Sequence, residues 1–122
     1  MAKKRGIYMQ LFTLILKKEE LCDKLMHELF EAGIKGGTLI NGEGMAKALH
    51  NMDDIPTFGL LRRAWDESDR ETVKTLLLVL KDEQVPIATK VVKDVIGDLN
   101  EPNTGIMFTM PVNIVEGFGG NA

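Results

Sequence analysis

Two stretches of this 122-residue chain, residues 9–16 (MQLFTLIL) and 73–80 (VKTLLLVL), are apolar on both faces of an extended backbone. Side chains alternate across a strand, so Leu11 and Ile15 point one way while Phe12, Leu14 and Leu16 point the other. A strand that is greasy on both sides belongs in the middle of a sheet. Each of the two is followed by a single amphipathic helical pattern. Over residues 19–32, Leu21, Cys22, Leu25, Met26, Leu29 and Phe30 recur at helical spacing. Glu19 and Glu20 suit the positive end of that helix, and Gly33 supplies a left-handed C-terminal cap. In the second pattern Ala88, Val91, Val92, Val95 and Ile96 mark the apolar stripe, with Pro86 tolerated in the first turn and Gly97 near the end.

Two further stretches complete the series. Residues 36–41 (GGTLIN) read as a short strand from which Gly42 and Gly44 bend the chain away, and residues 104–118 (TGIMFTMPVNIVEGF) read as the last strand. Pro111 cannot donate to a ladder, which places that strand at an edge. The order is strand, helix, strand, long polar loop, strand, helix, strand. That is the βαββαβ arrangement of an α+β, ferredoxin-like fold with a four-stranded antiparallel sheet. At 13.6 kDa the chain fits one domain over residues 1–122, because a second core would leave each half too small to offset its ordering entropy.

Two helices cover only one face of a four-stranded sheet, yet residues 11–16 and 76–80 are apolar on both. Leaving several Leu, Ile and Phe side chains wet forgoes about 1.5–3 kcal/mol each, against a total stability of about 5–15 kcal/mol. Self-association of the bare faces is the simplest remedy. The pattern alone does not set the number of subunits.

Composition narrows the function. A net charge of -3 supplies no field to gather nucleic acid or anionic lipid, and the basic cluster Lys3, Lys4 and Arg5 reads as a solubilising end. Cys22 is the only cysteine, so no intrachain disulfide forms and a reducing compartment is expected. No apolar run approaches the roughly 20 residues of a membrane span, nor does the start read as a signal peptide, so the expected location is cytoplasmic without direct membrane insertion.

The stretch at residues 31–44 (EAGIKGGTLINGEG) and the ending after Gly105 resemble the P-II nitrogen-regulatory signal protein family, over residues 9–118. The resemblance implies a homotrimer with effector clefts between subunits, and a long T-loop-like segment, here residues 43–71, that docks on a target transporter or enzyme. On that alignment Thr38 falls on a nucleotide-contacting threonine, Gly44 on the glycine opening the T-loop, Lys74 on a ligand-binding lysine at the loop's exit, and Gly105 on the last glycine of the B-loop. The chain is a divergent match. Where the family carries a phosphate-binding lysine after that glycine there is Ile106, and residues 113–118 (NIVEGF) hold none of the family's terminal arginines. Losing those cations removes charge-assisted bonds to a triphosphate, so an adenine nucleotide is not expected to be held in the family's usual manner. The T-loop-like segment also lacks a modifiable tyrosine, since Tyr8 lies outside it.

Other candidates carry less. Gly36, Gly37, Gly42 and Gly44 suit either an exposed anion-binding backbone or plain turn geometry. Leu60, Leu61, Ala64 and Trp65 have the one-face spacing of a short helical turn that carries Arg62 and Arg63, and Arg62, Arg63 and Trp65 form either a partner hot spot or a tryptophan packed on its own subunit with solvated arginines beside it. His27 and His50 stand too far apart, without a neighbouring ligand, to make a metal site. Cys22 on the apolar helix face reads as a core thiol. The acidic pairs Asp53 with Asp54, Asp66 with Glu67 and Asp69 with Glu71 read as solvated charges, and no catalytic triad assembles. The expected function is a P-II-like, non-enzymatic regulator, with nitrogen regulation as the implied setting. The alternative is a small ferredoxin-like enzyme or a divalent-cation-tolerance-type trimer.

Overall fold

A computed structural model describes residues 8–50 and 72–118 of the chain. Its strands are β1 (Met9–Leu16), β2 (Thr38–Glu43), β3 (Thr72–Lys81) and β4 (Gly105–Val112), and its α-helices are α1 (Cys22–Glu31), α2 (Met45–His50) and α3 (Val85–Ile96). The four strands form one antiparallel sheet in the order β2-β3-β1-β4. The ferredoxin-like α+β arrangement is therefore present, with the two doubly apolar strands in the middle and the Pro111 strand at an edge.

Register explains the layering. Phe12 pairs with Leu78 and Leu14 with Leu76, so these side chains share one face. They are buried there with Leu16 and Leu80 against Cys22, Leu25 and Leu29 of α1 and Ala88, Val92 and Ile96 of α3. Ile34, just past the α1 cap, seals the same core. Gly33 has φ 95° and ends α1 as the cap signal anticipates.

The opposite face carries no helix among the described residues. Cross-strand rows there join Val79, Leu11 and Met110; then Thr38, Leu77, Thr13 and Phe108; then Ile40, Thr75, Ile15 and Ile106. Ile106 keeps 56% of its surface exposed, Met110 48% and Phe108 40%. A bare apolar face is the predicted consequence of two helices on four strands.

Several boundaries differ from the sequence reading. The stretch read as the start of the first helix is a 3-10 turn at Glu19–Leu21, and the α-helix begins at Cys22. Strand β2 starts two residues later than expected and runs through Gly42 to Glu43, because its ladder with β3 reaches to Thr72. Within the T-loop-like segment the chain forms α2 straight after Gly44, with the Ala48 amide donating to the Gly44 carbonyl at 3.1 Å. The last strand stops at Val112, and the rest of the stretch leaves the sheet.

Candidate functional site

The site residues expected from sequence fall in two places. Thr38 opens β2 and lines a cleft of about 720 Å³ on the bare side of the sheet. Its floor is Leu11, Leu77 and Val79, one wall is the α1–β2 connection from Gly33 to Gly37, and the other is Gly117 and Phe118. Gly37 is closely packed there: an added Cβ would land on Leu78 Cδ2 and lie 3.3 Å from the Leu77 carbonyl oxygen. The Gln84 side chain at the rim accepts a 2.9 Å hydrogen bond from the Lys81 amide, which holds its carbonyl and leaves its NH₂ group to point elsewhere.

Lys74 and Gly105 lie at the far end of the sheet. Both pair with Leu16, from β3 and β4 respectively, so they occupy one cross-strand row two strand spacings, about 10 Å, apart. Lys74 shares a face with Leu16 and Asn41, the helix-covered one, and its Nζ donates to Asn41 Oδ1 at 2.7 Å. Gly44 follows the end of β2, beyond Asn41 in the same direction. Gly105 is pinned by packing, since a Cβ would sit 2.6 Å from the Ile15 carbonyl oxygen. It also borders a cavity of about 570 Å³ between the end of α3 and β4, with Lys93 and Asp98 on its rim.

One copy therefore does not bring the four residues together. Thr38 and Lys74 are on opposite faces, and three residues along β3, about 10 Å, separate their rows. Arg62, Arg63 and Trp65, with the helical turn and acidic pairs read near them, lie outside the described residues. Ile106, at the position of the family's lysine, is on the bare face. The cleft's Gly117 and Phe118 wall was not foreseen, because a strand pattern over residues 104–118 carries no signal that its end turns back.

Cys22 is buried under this end of the sheet. Burial pushes its thiol above the ordinary 9.0, while the nearby Lys74 charge works the other way. The folded state thus holds the thiol proton more tightly than the unfolded chain does. That contribution is complete below the ordinary value of 9.0 and is lost as pH rises through the folded value. Cys22→Ala is accordingly expected to lose less stability than the parent between about pH 8 and 10, as read by urea unfolding at each pH. His27 is exposed on α1. Among the described residues no group of three or more His, Cys, Asp or Glu is placed to hold a metal ion, and no helix is long and apolar enough to cross a membrane.

No protein-family model matches the sequence, and no curated protein matches it. Solved structures do resemble the chain. A functionally unknown protein from Pediococcus pentosaceus superposes with a TM-score of 0.61 at 14% identity, covering 93% of this chain and 100% of that one. Arabidopsis thaliana PII bound to citrate gives 0.57 at 15% identity, over 88% of this chain and 78% of that one. The fold is PII-like. A B. subtilis GlnK–ATP complex gives 0.54 at 16% identity, over 86% and 82%. At these identities the shared property is the fold.

Proposed function

We propose that this chain is a PII-like regulatory protein and not an enzyme. It assembles as a homotrimer through the bare sheet face, binds a small effector in clefts between subunits, and controls a cytoplasmic transporter or enzyme, with nitrogen regulation as the setting, through residues 43–71 and the Arg62, Arg63 and Trp65 group. The observation that carries this reading is the division of the site. Thr38 with its cleft and the Lys74–Gly105 row lie on different faces of one copy. A neighbouring subunit can set its Lys74–Gly105 end against the Thr38 cleft, so that one ligand touches both.

Chemistry narrows the effector. The cleft floor is apolar, and Thr38, Lys35, Gln84 and the backbone of Gly36 and Gly37 make its polar edge. That suits a flat ring or a compact carboxylate, and the PII neighbours are a citrate complex and an ATP complex. Ile106 and the arginine-free residues 113–118 provide no cation for a triphosphate. Lys35 in the cleft wall is one cation where the family uses several, so a nucleotide bound here would be held by its base and sugar more than by a triphosphate.

A thermal-shift panel tests the reading. Adenine nucleotides, cyclic nucleotides, 2-oxoglutarate, citrate and bicarbonate are each added with and without Mg²⁺. A ligand at a hundred times its Kd adds about 2.7 kcal/mol to the native state, a rise of roughly 10 °C for a chain this size. At least one compound is expected to raise the Tm, and Thr38→Ala to reduce that rise. An unmoved Tm across the whole panel, or catalytic turnover of any of these compounds, would remove the proposal.

A further inference from the structure

The cleft beside Thr38 is built from two unlike halves. Leu11 pairs with Val79, and Leu77 stands two residues before Val79 on the same face, so the three make a flat apolar floor to which Phe118 adds an aromatic wall. The other half is polar: Lys35, Gln84, Thr38 and the backbone at Gly36 and Gly37. No Asp or Glu lines the cleft. Its polar side chains are set to give hydrogens. The Gln84 carbonyl oxygen is engaged by the Lys81 amide at 2.9 Å, so what that side chain offers a ligand is its NH₂ group. Lys35 only donates; its Nζ lies 5.5 Å from the centroid of the Phe30 ring, and no carboxylate pairs with it among the described residues. The backbone amides of Lys35 and Gly36 have no backbone acceptor there either.

We infer that this cleft selects a monocarboxylate with a flat apolar body, its carboxylate held by Lys35 and Gln84 and its ring laid on Leu11, Leu77 and Val79. This rests on the small-effector reading above and names the class of ligand. A carboxylate is a pure acceptor and meets these donors with both oxygens, whereas the edge of a nucleobase alternates acceptors with amino hydrogens that Lys35 and Gln84 cannot receive. Charge sets the number of carboxylates. One ammonium group balances one anion, and a second carboxylate on the same ligand would lie unpaired against the apolar floor. Size agrees: at about 720 Å³ the cleft is in the range of sites that enclose a small organic molecule.

Calorimetric titration of the full chain with 2-naphthoate and with its uncharged isostere 2-naphthamide tests this, with citrate and adenosine as further probes. The carboxylate is expected to bind at least about tenfold more tightly than the amide, the worth of one charge-assisted hydrogen bond, and more tightly than citrate or adenosine. Lys35→Met keeps the side-chain stem and removes the charge, and it should bring acid and amide to within about threefold of each other. Gln84→Glu keeps an oxygen for the Lys81 amide but turns the donor into a second acceptor, so it should weaken naphthoate at least about tenfold and leave the amide within about threefold. Circular dichroism checks that both variants are folded. Equal affinity for acid and amide in the parent, tighter binding of citrate or adenosine, or variants that keep the parent's preference for the acid would each overturn the monocarboxylate assignment while the regulator reading stands on whichever compound binds. Binding of neither these probes nor any compound in the thermal-shift panel would overturn both.

Discussion

Phe108→Asp is expected to convert the proposed trimer into folded single chains of 13.6 kDa. Phe108 stands on the bare face between Ile106 and Met110, in the row of Thr13 and Leu77, and in one copy it is still 40% exposed. A carboxylate there reaches water in the single chain, so the fold tolerates it. Against a second apolar face it has no partner, and burying an unpaired charge costs several kcal/mol before the lost phenylalanine contact of about 1.5–3 kcal/mol is counted. The two together weaken association by at least about a thousandfold. Light scattering coupled to size exclusion reads the mass, and circular dichroism confirms that secondary structure persists. A variant that elutes at the parent mass would show that the bare face does not hold the copies together.

Phe12→Ala addresses the other side of the same strand and should act in the opposite way, through the fold and not the assembly. Phe12 is fully buried, pairs with Leu78 and Thr109, and packs in the core under both helices. Truncating a buried phenylalanine removes its transfer free energy and leaves a cavity that a close-packed core closes only in part, costing about 3–5 kcal/mol. For a domain of this length that lowers the Tm by roughly 10–20 °C. The measurement is thermal and urea unfolding of parent and variant at equal chain concentration. A loss below about 1 kcal/mol would contradict the packing described for β1.

The contrast between these neighbouring positions shows how far the sequence could be read. The assignment of Phe12, Leu14 and Leu16 to one face and Leu11 and Ile15 to the other follows from a period of two, and the structure keeps it. Pro111 announced the edge strand through its missing amide hydrogen, a local property that no tertiary context restores. The ends of elements were less legible. Strand β2 runs on through Gly42, a residue read as a bend, because pairing with Val73 and Thr72 supplies hydrogen bonds that outweigh glycine's poor intrinsic preference for a strand. The start of α1 is a 3-10 turn at Glu19–Leu21, and the Glu19 carboxylate there accepts a 2.9 Å hydrogen bond from the Thr72 hydroxyl, a partner 53 residues away that local spacing does not reveal.

The candidate site divides along the same line. Residue types and the PII resemblance singled out Thr38, Gly44, Lys74 and Gly105, and alternation within a strand says which residues of that one strand share a face. Which faces of different strands coincide is set by register, and register arises from long-range pairing: Thr38 with Leu77, Lys74 with Leu16, and Leu16 with Gly105. By itself, then, the amino-acid order determined the succession of the four strands and the two long helices, the two central strands and an apolar second face of the sheet with no helix over it among the described residues, since each depends on periodicity over a few residues. Only the tertiary structure decided that Thr38 and Lys74 face opposite ways, that Gly117 and Phe118 wall the cleft, and that Thr13 is buried between Leu77 and Phe108. Those outcomes depend on contacts between segments tens of residues apart, whose alignment is governed by the packing of the whole sheet.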